Sequence, residues 1–243
     1  MNHWDLAYLG IAPFFLSTAA VKRIRHGKYR RSLPGMFGAN LPSSPLHPHE
    51  HRVWMHSVSV GETIASGAVY RVLREQRPGW EYLITTTTET GQDQAKRSLL
   101  DAEHYDFAPV DFSWKVRNFL HVYQPSIYLF FETEIWPNVL LECGRRGMPV
   151  FLVNGKLSDR SSRRYAKMKG LFAKPLNQVT TFLMQTETDA ERLRRVIGEQ
   201  AEVHVTGNVK FDNLPKPLSE EERADMRRSW GVGSRRAGRR PPP

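Results

Sequence analysis

The chain has 243 residues, a formal net charge of +10 and a sequence pI near 9.9. This excess of positive charge favours a partner that carries negative charge, such as a phosphorylated molecule or an anionic membrane. Nucleic acid is the rival explanation, but no nucleic-acid-binding motif is present, so we predict no nucleic-acid partner, with a solvated basic surface as the plain alternative. The lone cysteine, Cys143, excludes a disulfide framework, fits a reducing compartment and is predicted to lie in the core.

Residues 1–31 are predicted to form a membrane anchor with a basic flank. Residues 6–21 contain no charged side chain, and a cluster of Lys and Arg follows them at once, which would hold the rest of the chain on the cytoplasmic side. A spanning helix needs about 20 apolar residues, so this stretch is marginal, and Pro13 is expected to kink it. An anchor or a shallow interfacial insertion is favoured, and a buried core helix is the alternative. As an anchor, the segment should be removable without unfolding the rest of the chain.

Residues 32–51 are predicted to be a linker, because residues 38–51 are rich in Pro, Ser and His. His47, His49 and His51 are close enough in sequence to suggest a metal site, but their alternate spacing beside prolines is more typical of an exposed linker. Elsewhere the chain has no cysteine pair and no clustered Asp motif of the kind that binds metals. The sequence therefore predicts no metal.

Short apolar strands alternate with polar turns and helical segments along residues 52–212, which is typical of a parallel sheet flanked by helices. We predict a Rossmann-like α/β domain over these residues. All the polar turns should then lie at one edge of the sheet, where α/β proteins bind ligands. The predicted strands are residues 52–56, 81–86, 126–131, 149–153, 181–184 and 202–205, and the predicted helices are residues 63–75, 92–100 and 138–146.

The turn at residues 56–62 is the most informative, because it places a carboxylate where an apolar strand gives way to a helix. The helix N-terminus would offer free N–H groups and a partial positive charge to a ligand. Gly61 would let the backbone approach that ligand closely, and Glu62 would lie in the first turn of the helix. The structural alternative is a capping box in which Ser59 and Glu62 only start the helix.

Taken together, the polar turns resemble those of the N-terminal half of the bacterial 3-deoxy-D-manno-octulosonic acid (Kdo) transferases, and they occur in that family's order. The resemblance implies a GT-B glycosyltransferase, in which the N-terminal of two Rossmann-like domains binds lipid A precursor and the C-terminal one binds CMP-Kdo. It also implies a location at the cytoplasmic face of the bacterial inner membrane and no cofactor beyond the donor substrate. The matching segments are residues 56–62, 85–91, 109–111, 132–138, 154–161, 185–186 and 207–212.

The resemblance also assigns roles to single residues. Glu62 would be the catalytic general base that deprotonates the acceptor hydroxyl, and Glu134 would lie beside the acceptor or the base. Basic residues that follow residues 154–158 would contact the acceptor phosphates, although a solvated basic surface would look the same in sequence. The predicted substrate-binding residues are Ser59, Gly61, Thr88, Glu134, Asn154, Lys156, Arg160, Ser161, Arg163, Arg164, Gln185, Asn208 and Lys210.

Residues 213–243 are predicted to be a hinge remnant and a disordered basic tail, because residues 231–243 are rich in Arg, Gly and Pro and lack apolar periodicity. In Kdo transferases the donor domain follows this point, so we expect it to be missing through truncation or a frameshift, with a natural basic tail as the milder alternative. The leading function is Kdo transfer from CMP-Kdo to lipid A precursor (lipid IVA), inactive in this chain alone. A non-catalytic membrane-bound acceptor-binding module and a sugar-nucleotide epimerase are the alternatives.

Overall fold

The computed structural model describes residues 1–27, 29–198, 201–213 and 219–230, and a parallel sheet forms its centre. The chain divides into one compact unit over Met1–Asn213 and a second over Leu214–Pro243. The described strands are β1 (Arg52–Ser57), β2 (Glu81–Thr86), β3 (His104–Phe107), β4 (Ile127–Phe131), β5 (Val150–Gly155), β6 (Thr181–Met184) and β7 (Glu202–Val205). The described helices of the first unit are α1 (His3–His26), α2 (Ser32–Met36), α3 (Val60–Gln76), α4 (Glu89–Ser98), α5 (Ser113–Tyr123), α6 (Pro137–Arg145), α7 (Asp159–Lys167), α8 (Lys169–Leu176), α9 (Glu187–Ile197) and a 3₁₀ helix at Val209–Asn213.

The strand order contains one reversal. The strands pair in parallel in the order β3-β2-β1-β4-β5-β6-β7, so the chain builds outward from β1 to β3 and then returns to add β4 on the other side of β1. Ligands of open α/β sheets bind beyond the carboxyl ends of the strands at such a switch point. The turns that follow β1 and β4 therefore become neighbours, although Glu62 and Glu132, which lie beside them in sequence, are 70 residues apart.

Alternate residues of the central strands pack on opposite faces of the sheet. Trp54 belongs to one buried apolar cluster, whereas Val53 and Met55 belong to another. Because both faces are covered, every residue of β1 is buried, including the consecutive apolar residues 53–55 at its centre. Cys143 is fully buried in the first cluster, which confirms its predicted place in the core.

Helix α1 has two parts with different surroundings. Its first turn is buried: Trp4 and Asp5 are 7% and 0% exposed, and the Asp5 carboxylate accepts hydrogen bonds from the Ser113 backbone N–H (2.8 Å) and the Asn138 amide (3.1 Å). The remainder is largely exposed, and His3–Arg25 is long and apolar enough to cross a membrane by length and composition alone. The anchor role stays a prediction, but the first turn of α1 belongs to the sheet unit.

The predicted linker is also held against the sheet unit. It contains α2, and its Leu46 backbone N–H donates to the Val122 carbonyl (2.8 Å). The guanidinium of Arg52, at the start of β1, donates to the His47 carbonyl (2.9 Å). These contacts give residues 32–51 a defined path along the domain.

The predicted strands lie within about two residues of their observed positions, and the predicted helices within about three. The sequence prediction omitted β3, α5 and the helices α7, α8 and α9. In the second unit, α10 (Glu220–Ser229) begins at a capping box between Ser219 and Glu222, with acidic residues in its first turn and basic residues in its last. This helix lies within the segment predicted to be a hinge remnant, which stays a prediction, and the predictions for residues 214–218 and 231–243 lie outside the described residues.

Candidate functional site

The turn between β1 and α3 holds Glu62 in a nearly buried position. Glu62 is 8% exposed, and its carboxylate oxygens accept hydrogen bonds from the Val58 backbone N–H (2.7 Å) and the Ser59 hydroxyl (3.0 Å). Ser59 is the N-cap of α3, so the capping alternative is present in part, although a full capping box would use the Ser59 N–H. At the exposed Gly61, a Cβ would meet only Ser59 Oγ, at 4.0 Å, so packing among the described residues does not require glycine there.

Two more glutamates follow β4, the neighbour of β1 in the sheet. Glu132 and Glu134 are half-buried in the turn before α6. Burial raises the pKa of Glu62 above its ordinary value, hydrogen bonds from its own turn lower it in part, and the charge of Glu132 raises it again. Burial likewise raises the pKa of Glu134, and the charges of Glu62 and Glu132 add to that effect. We call these three coupled side chains the carboxylate cluster.

Lys210 brings a positive charge to the carboxylate cluster from the 3₁₀ helix, which packs against α3. Its Nζ lies 2.8 Å from Glu132 Oε1. The adjacent Val209 N–H donates to Asn154 Oδ1 at the end of β5 (3.2 Å). Asn154 is fully buried, and its Nδ2 has no hydrogen-bond partner among the described residues. Buried donors are almost always paired, so an acceptor atom of a ligand would be bound favourably at this point.

His56, near the end of β1, has a similar unpaired group. The Trp54 indole donates to Thr85 Oγ1 (2.7 Å), and His56 Nδ1 lies 3.0 Å from the same hydroxyl oxygen. His56 Nε2 has no partner among the described residues, and its ring lies 6.3 Å from that of Trp136. Burial lowers the pKa of His56 to about 4, so the imidazole is neutral at pH 7. It is a neutral polar group at the edge of the sheet.

Three other predicted residues lie at the same edge of the sheet and mainly support its turns. Thr88 is the N-cap of α4, and its hydroxyl donates to the Val58 carbonyl (3.3 Å), which ties this turn to the one that carries Glu62. Gln185 Nε2 donates to the carbonyl of Asn154 (3.0 Å). Asn208 Oδ1 accepts the backbone N–H of Lys210 (3.0 Å). The first contact joins the turns after β1 and β2, the second joins the end of β5 to the turn after β6, and the third lies within the segment after β7.

The predicted phosphate-binding residues form a different feature. Arg163 is ion-paired with Asp159 one turn earlier on α7, and the guanidinium of Arg164 lies over the Tyr165 ring at 5.3 Å. None of the carboxylate cluster lines the cavity that these cations share. The cavity has a volume of about 530 Å³ and is lined by Arg160, Arg163, Arg164, Lys167 and Met168.

Ser161 and Lys156 contribute mainly through the backbone of the turn after β5. The Ser161 N–H donates to Ser158 Oγ (3.2 Å), so Ser161 belongs to the capped first turn of α7. Lys156 is exposed, and its backbone carbonyl accepts the Thr133 hydroxyl from the turn that contains Glu132 and Glu134. The turns after β4 and β5 are thereby joined.

Sequence reasoning did not single out Glu132, His56 or Trp136. All three lie within the segments matched to the transferase family, and each lies near the end of β1 or in the turn after β4. These residues could have been found from their position at the ends of the two central strands. Knowing which strands are central requires the strand order, however. The assembled edge offers a nearly buried carboxylate with a raised pKa, which is the chemistry of a general base.

Two solved structures share the fold. The crystal structure of UDP-GlcNAc 2-epimerase from Neisseria meningitidis bound to UDP-GlcNAc gives a TM-score of 0.51 at 16% identity, over 74% of this chain and 54% of that chain. The crystal structure of the glycosyltransferase from Rickettsia africae ESF-5 gives a TM-score of 0.52 at 10% identity, over 77% of this chain and 51% of that chain. The parallel sheet and this likeness confirm the predicted Rossmann-like fold class. The family model described as 3-deoxy-D-manno-octulosonic-acid transferase (kdotransferase) matches residues 25–213. The chain belongs to this Kdo transferase family, as its polar turns predicted.

Curated relatives carry the same activity name. The 3-deoxy-D-manno-octulosonic acid transferase of Haemophilus influenzae is 28% identical over 200 residues, which cover 82% of this chain and 46% of the relative. The transferase of that name from Chlamydia trachomatis serovar D is 31% identical over 207 residues, with coverage of 82% and 47%. The chain spans about half the length of the curated relatives it matches. Family membership favours the transferase over the epimerase alternative.

Proposed function

We propose that the unit Met1–Asn213 binds the lipid acceptor of an inverting Kdo transferase and that Glu62 is the general base of the transfer from CMP-Kdo to lipid IVA. One observation carries the proposal: in a chain of this family, the carboxylate cluster lies at the switch point of the sheet. In the GT-B arrangement, CMP-Kdo binds a second Rossmann-like domain that faces the cluster from outside this unit. The proposed reaction uses no cofactor and no metal.

In the proposed reaction, the acceptor hydroxyl oxygen attacks the anomeric carbon of Kdo from the face opposite CMP. Its proton passes to the Glu62 carboxylate as the bond to CMP breaks, and CMP leaves with the electron pair. The raised pKa of Glu62 suits this role, because a general base is most effective when its pKa is close to the working pH. Lys210 compensates the charge of Glu132, so the cluster is not left with three uncompensated negative charges.

The proposed location is the cytoplasmic face of the bacterial inner membrane. Support comes from the exposed apolar surface of α1 and from the exposed cations Arg23 and Arg25 in its last turns. A basic segment next to an apolar helix is attracted to anionic lipid. The same cations suit the phosphates of the lipid acceptor.

Titration calorimetry of the purified 243-residue chain in detergent micelles tests the proposed division of substrates. Lipid IVA is expected to bind and CMP-Kdo is not. Transfer by the chain alone should be unmeasurable, because joint positioning of two substrates contributes about 7–11 kcal/mol to such reactions. Tight CMP-Kdo binding would contradict the assignment of the donor site, and failure to bind lipid IVA would contradict the acceptor role.

The basic cavity on α7 is expected to contribute to lipid IVA binding through the acceptor phosphates. The double variant Arg160→Ala and Arg164→Ala should weaken binding about tenfold at low salt, with a smaller difference at 0.5 M salt because exposed charges are screened over about 8–10 Å at ordinary ionic strength. Calorimetry at the two salt concentrations measures this. Arg195→Ala, at an exposed position on α9, is the matched control and should bind as wild type. Equal affinities for the double variant and wild type would assign this cavity to the solvated surface.

The pH dependence of transfer should report the coupling within the carboxylate cluster. Glu62 must be deprotonated to act, so transfer is expected to fall as the pH is lowered through its raised pKa. Glu132→Gln removes the negative charge that raises the pKa of Glu62 and should lower that pKa, which moves the acid limb of the rate profile to lower pH. Rates measured from pH 4 to 9 with a donor-binding half supplied would show the shift. Glu75→Gln, at an exposed position late in α3, should leave the acid limb unchanged, and an unmoved limb in Glu132→Gln would argue against the coupling.

A further inference from the structure

An apolar groove lies between α1 and the loops that follow β3 and β4. Its volume is about 460 Å³, within the range of about 300–1,000 Å³ that is common for small-molecule sites. One wall comes from α1, and the other walls come from the end of α2 and from the segments around residues 110–114 and 136. Its apolar lining includes Leu9, Ile11, Ala12, Leu16, Val110 and Trp136.

The carboxylate and the phenol in the wall of this groove are paired with each other. The Tyr8 hydroxyl donates to Asp111 Oδ2 (2.7 Å), and Asp111 Oδ1 accepts the Val139 backbone N–H (2.9 Å). Trp136 differs, because its Nε1 is buried with no hydrogen-bond partner among the described residues. The groove therefore presents an almost wholly apolar wall, and the polar groups of Tyr8 and Asp111 are satisfied within the protein.

The groove reaches from the exposed apolar surface of α1 to the turn that carries Glu134. On the α1 side, Ile11 lines the groove and is 59% exposed, and the neighbouring Phe14 is 76% exposed. On the other side, Trp136 follows Glu134 by two residues, and its ring lies 6.3 Å from that of His56. A lipid with its chain in the groove would have its head group beside the carboxylates.

We propose that this groove holds one acyl chain of the lipid acceptor and that the protein selects its acceptor partly by that chain. The inference deepens the proposed function and rests on it. An acyl chain fits the apolar walls of the groove. The phosphates of the same lipid match the exposed Arg23 and Arg25 of α1.

Filling the groove tests the inference against a matched control on the same helix. Ala12→Trp puts a large side chain at a lining position, whereas Ala20→Trp makes the same change at an exposed position of α1 that does not line the groove. The two probes are lipid IVA and the fully deacylated phosphodisaccharide made from it, titrated by calorimetry in detergent micelles. Ala12→Trp should weaken lipid IVA binding at least about tenfold, because each buried methylene contributes to binding. It should leave binding of the deacylated probe unchanged, and Ala20→Trp should match wild type for both probes.

Further measurements separate the possible outcomes. Circular dichroism checks that Ala12→Trp folds. If that variant does not fold, Leu16→Gln, at a half-exposed lining position, gives a second test: it should also weaken lipid IVA binding and leave binding of the deacylated probe unchanged. Flotation with anionic vesicles that lack the acceptor should be equal for Ala12→Trp and Ala20→Trp. If only Ala12→Trp loses flotation, the groove binds bulk membrane lipid instead of the acceptor, and the inference is overturned. If wild type binds both probes equally, the groove has no acyl role although the acceptor role stands, whereas if it binds neither, the proposed function itself fails.

Discussion

Glu62→Gln is expected to lower the rate of Kdo transfer by about 10²–10⁴-fold while lipid IVA binding stays close to that of wild type. Glutamine has nearly the same shape as glutamate, and its amide oxygen still accepts the Val58 N–H that holds the side chain in its turn. It has no carboxylate to take the proton of the attacking hydroxyl. Turnover is measured with a donor-binding half supplied, in the same chain or as a separate protein, and binding is measured by calorimetry on the same preparations.

Glu75→Gln is the control for the Glu62 experiment. It makes the same chemical change late in the same helix at an exposed position, so both turnover and binding should match wild type. Thermal unfolding of the two variants shows whether loss of the charge at the N-terminus of α3 disturbs the fold. Turnover of Glu62→Gln within a fewfold of wild type would eliminate Glu62 as the base and leave it with the capping role alone.

Asp5→Ala is expected to lower the free energy of unfolding by roughly 2–4 kcal/mol, because it leaves buried donors without an acceptor. The Asp5 carboxylate accepts the backbone N–H and the hydroxyl of Ser113 (both 2.8 Å), the Asn2 N–H (2.8 Å) and the Asn138 amide (3.1 Å). Urea unfolding in mild detergent, followed by far-UV circular dichroism, measures the loss. Leu6→Ala, next in sequence but 63% exposed, should change stability by no more than about 0.5 kcal/mol. Equal stability of the two variants would show that α1 is dispensable for the fold.

The sequence led us to expect that residues 1–31 can be removed without unfolding the rest of the chain. The buried contacts of Asp5 argue against this expectation. That deletion takes Trp4 and Asp5 out of the core, so it should destabilise the sheet unit as well as remove the apolar helix. Sequence reasoning could not find this link, because Asp5 and Ser113 are 108 residues apart and neither belongs to a recognisable motif. The apolar run after Asp5 dominated the interpretation of the segment.

Periodicity and turn composition located most of the strands and the turn that carries Glu62, because buried parallel strands are nearly continuous apolar runs. The sequence HYDF of β3 lacks that pattern, and four residues at the edge of the sheet are too few to show one. The pairing of β1 with β4 brings Glu62 beside Glu132 and Glu134, and that pairing depends on strand order, which local sequence does not encode. The groove beneath α1 was hidden for the same reason, since its walls come from distant segments.

During synthesis, α1 leaves the ribosome long before the groups that fix its first turn. At about 5–20 residues per second, the 108 residues between Asp5 and Ser113 take roughly 5–20 s to emerge. For that interval the helix has no docking site on its own domain, and its apolar surface is free to meet a bilayer. If the helix attaches to a membrane as proposed, attachment would precede folding of the sheet, and the domain would then assemble on a helix that is already oriented.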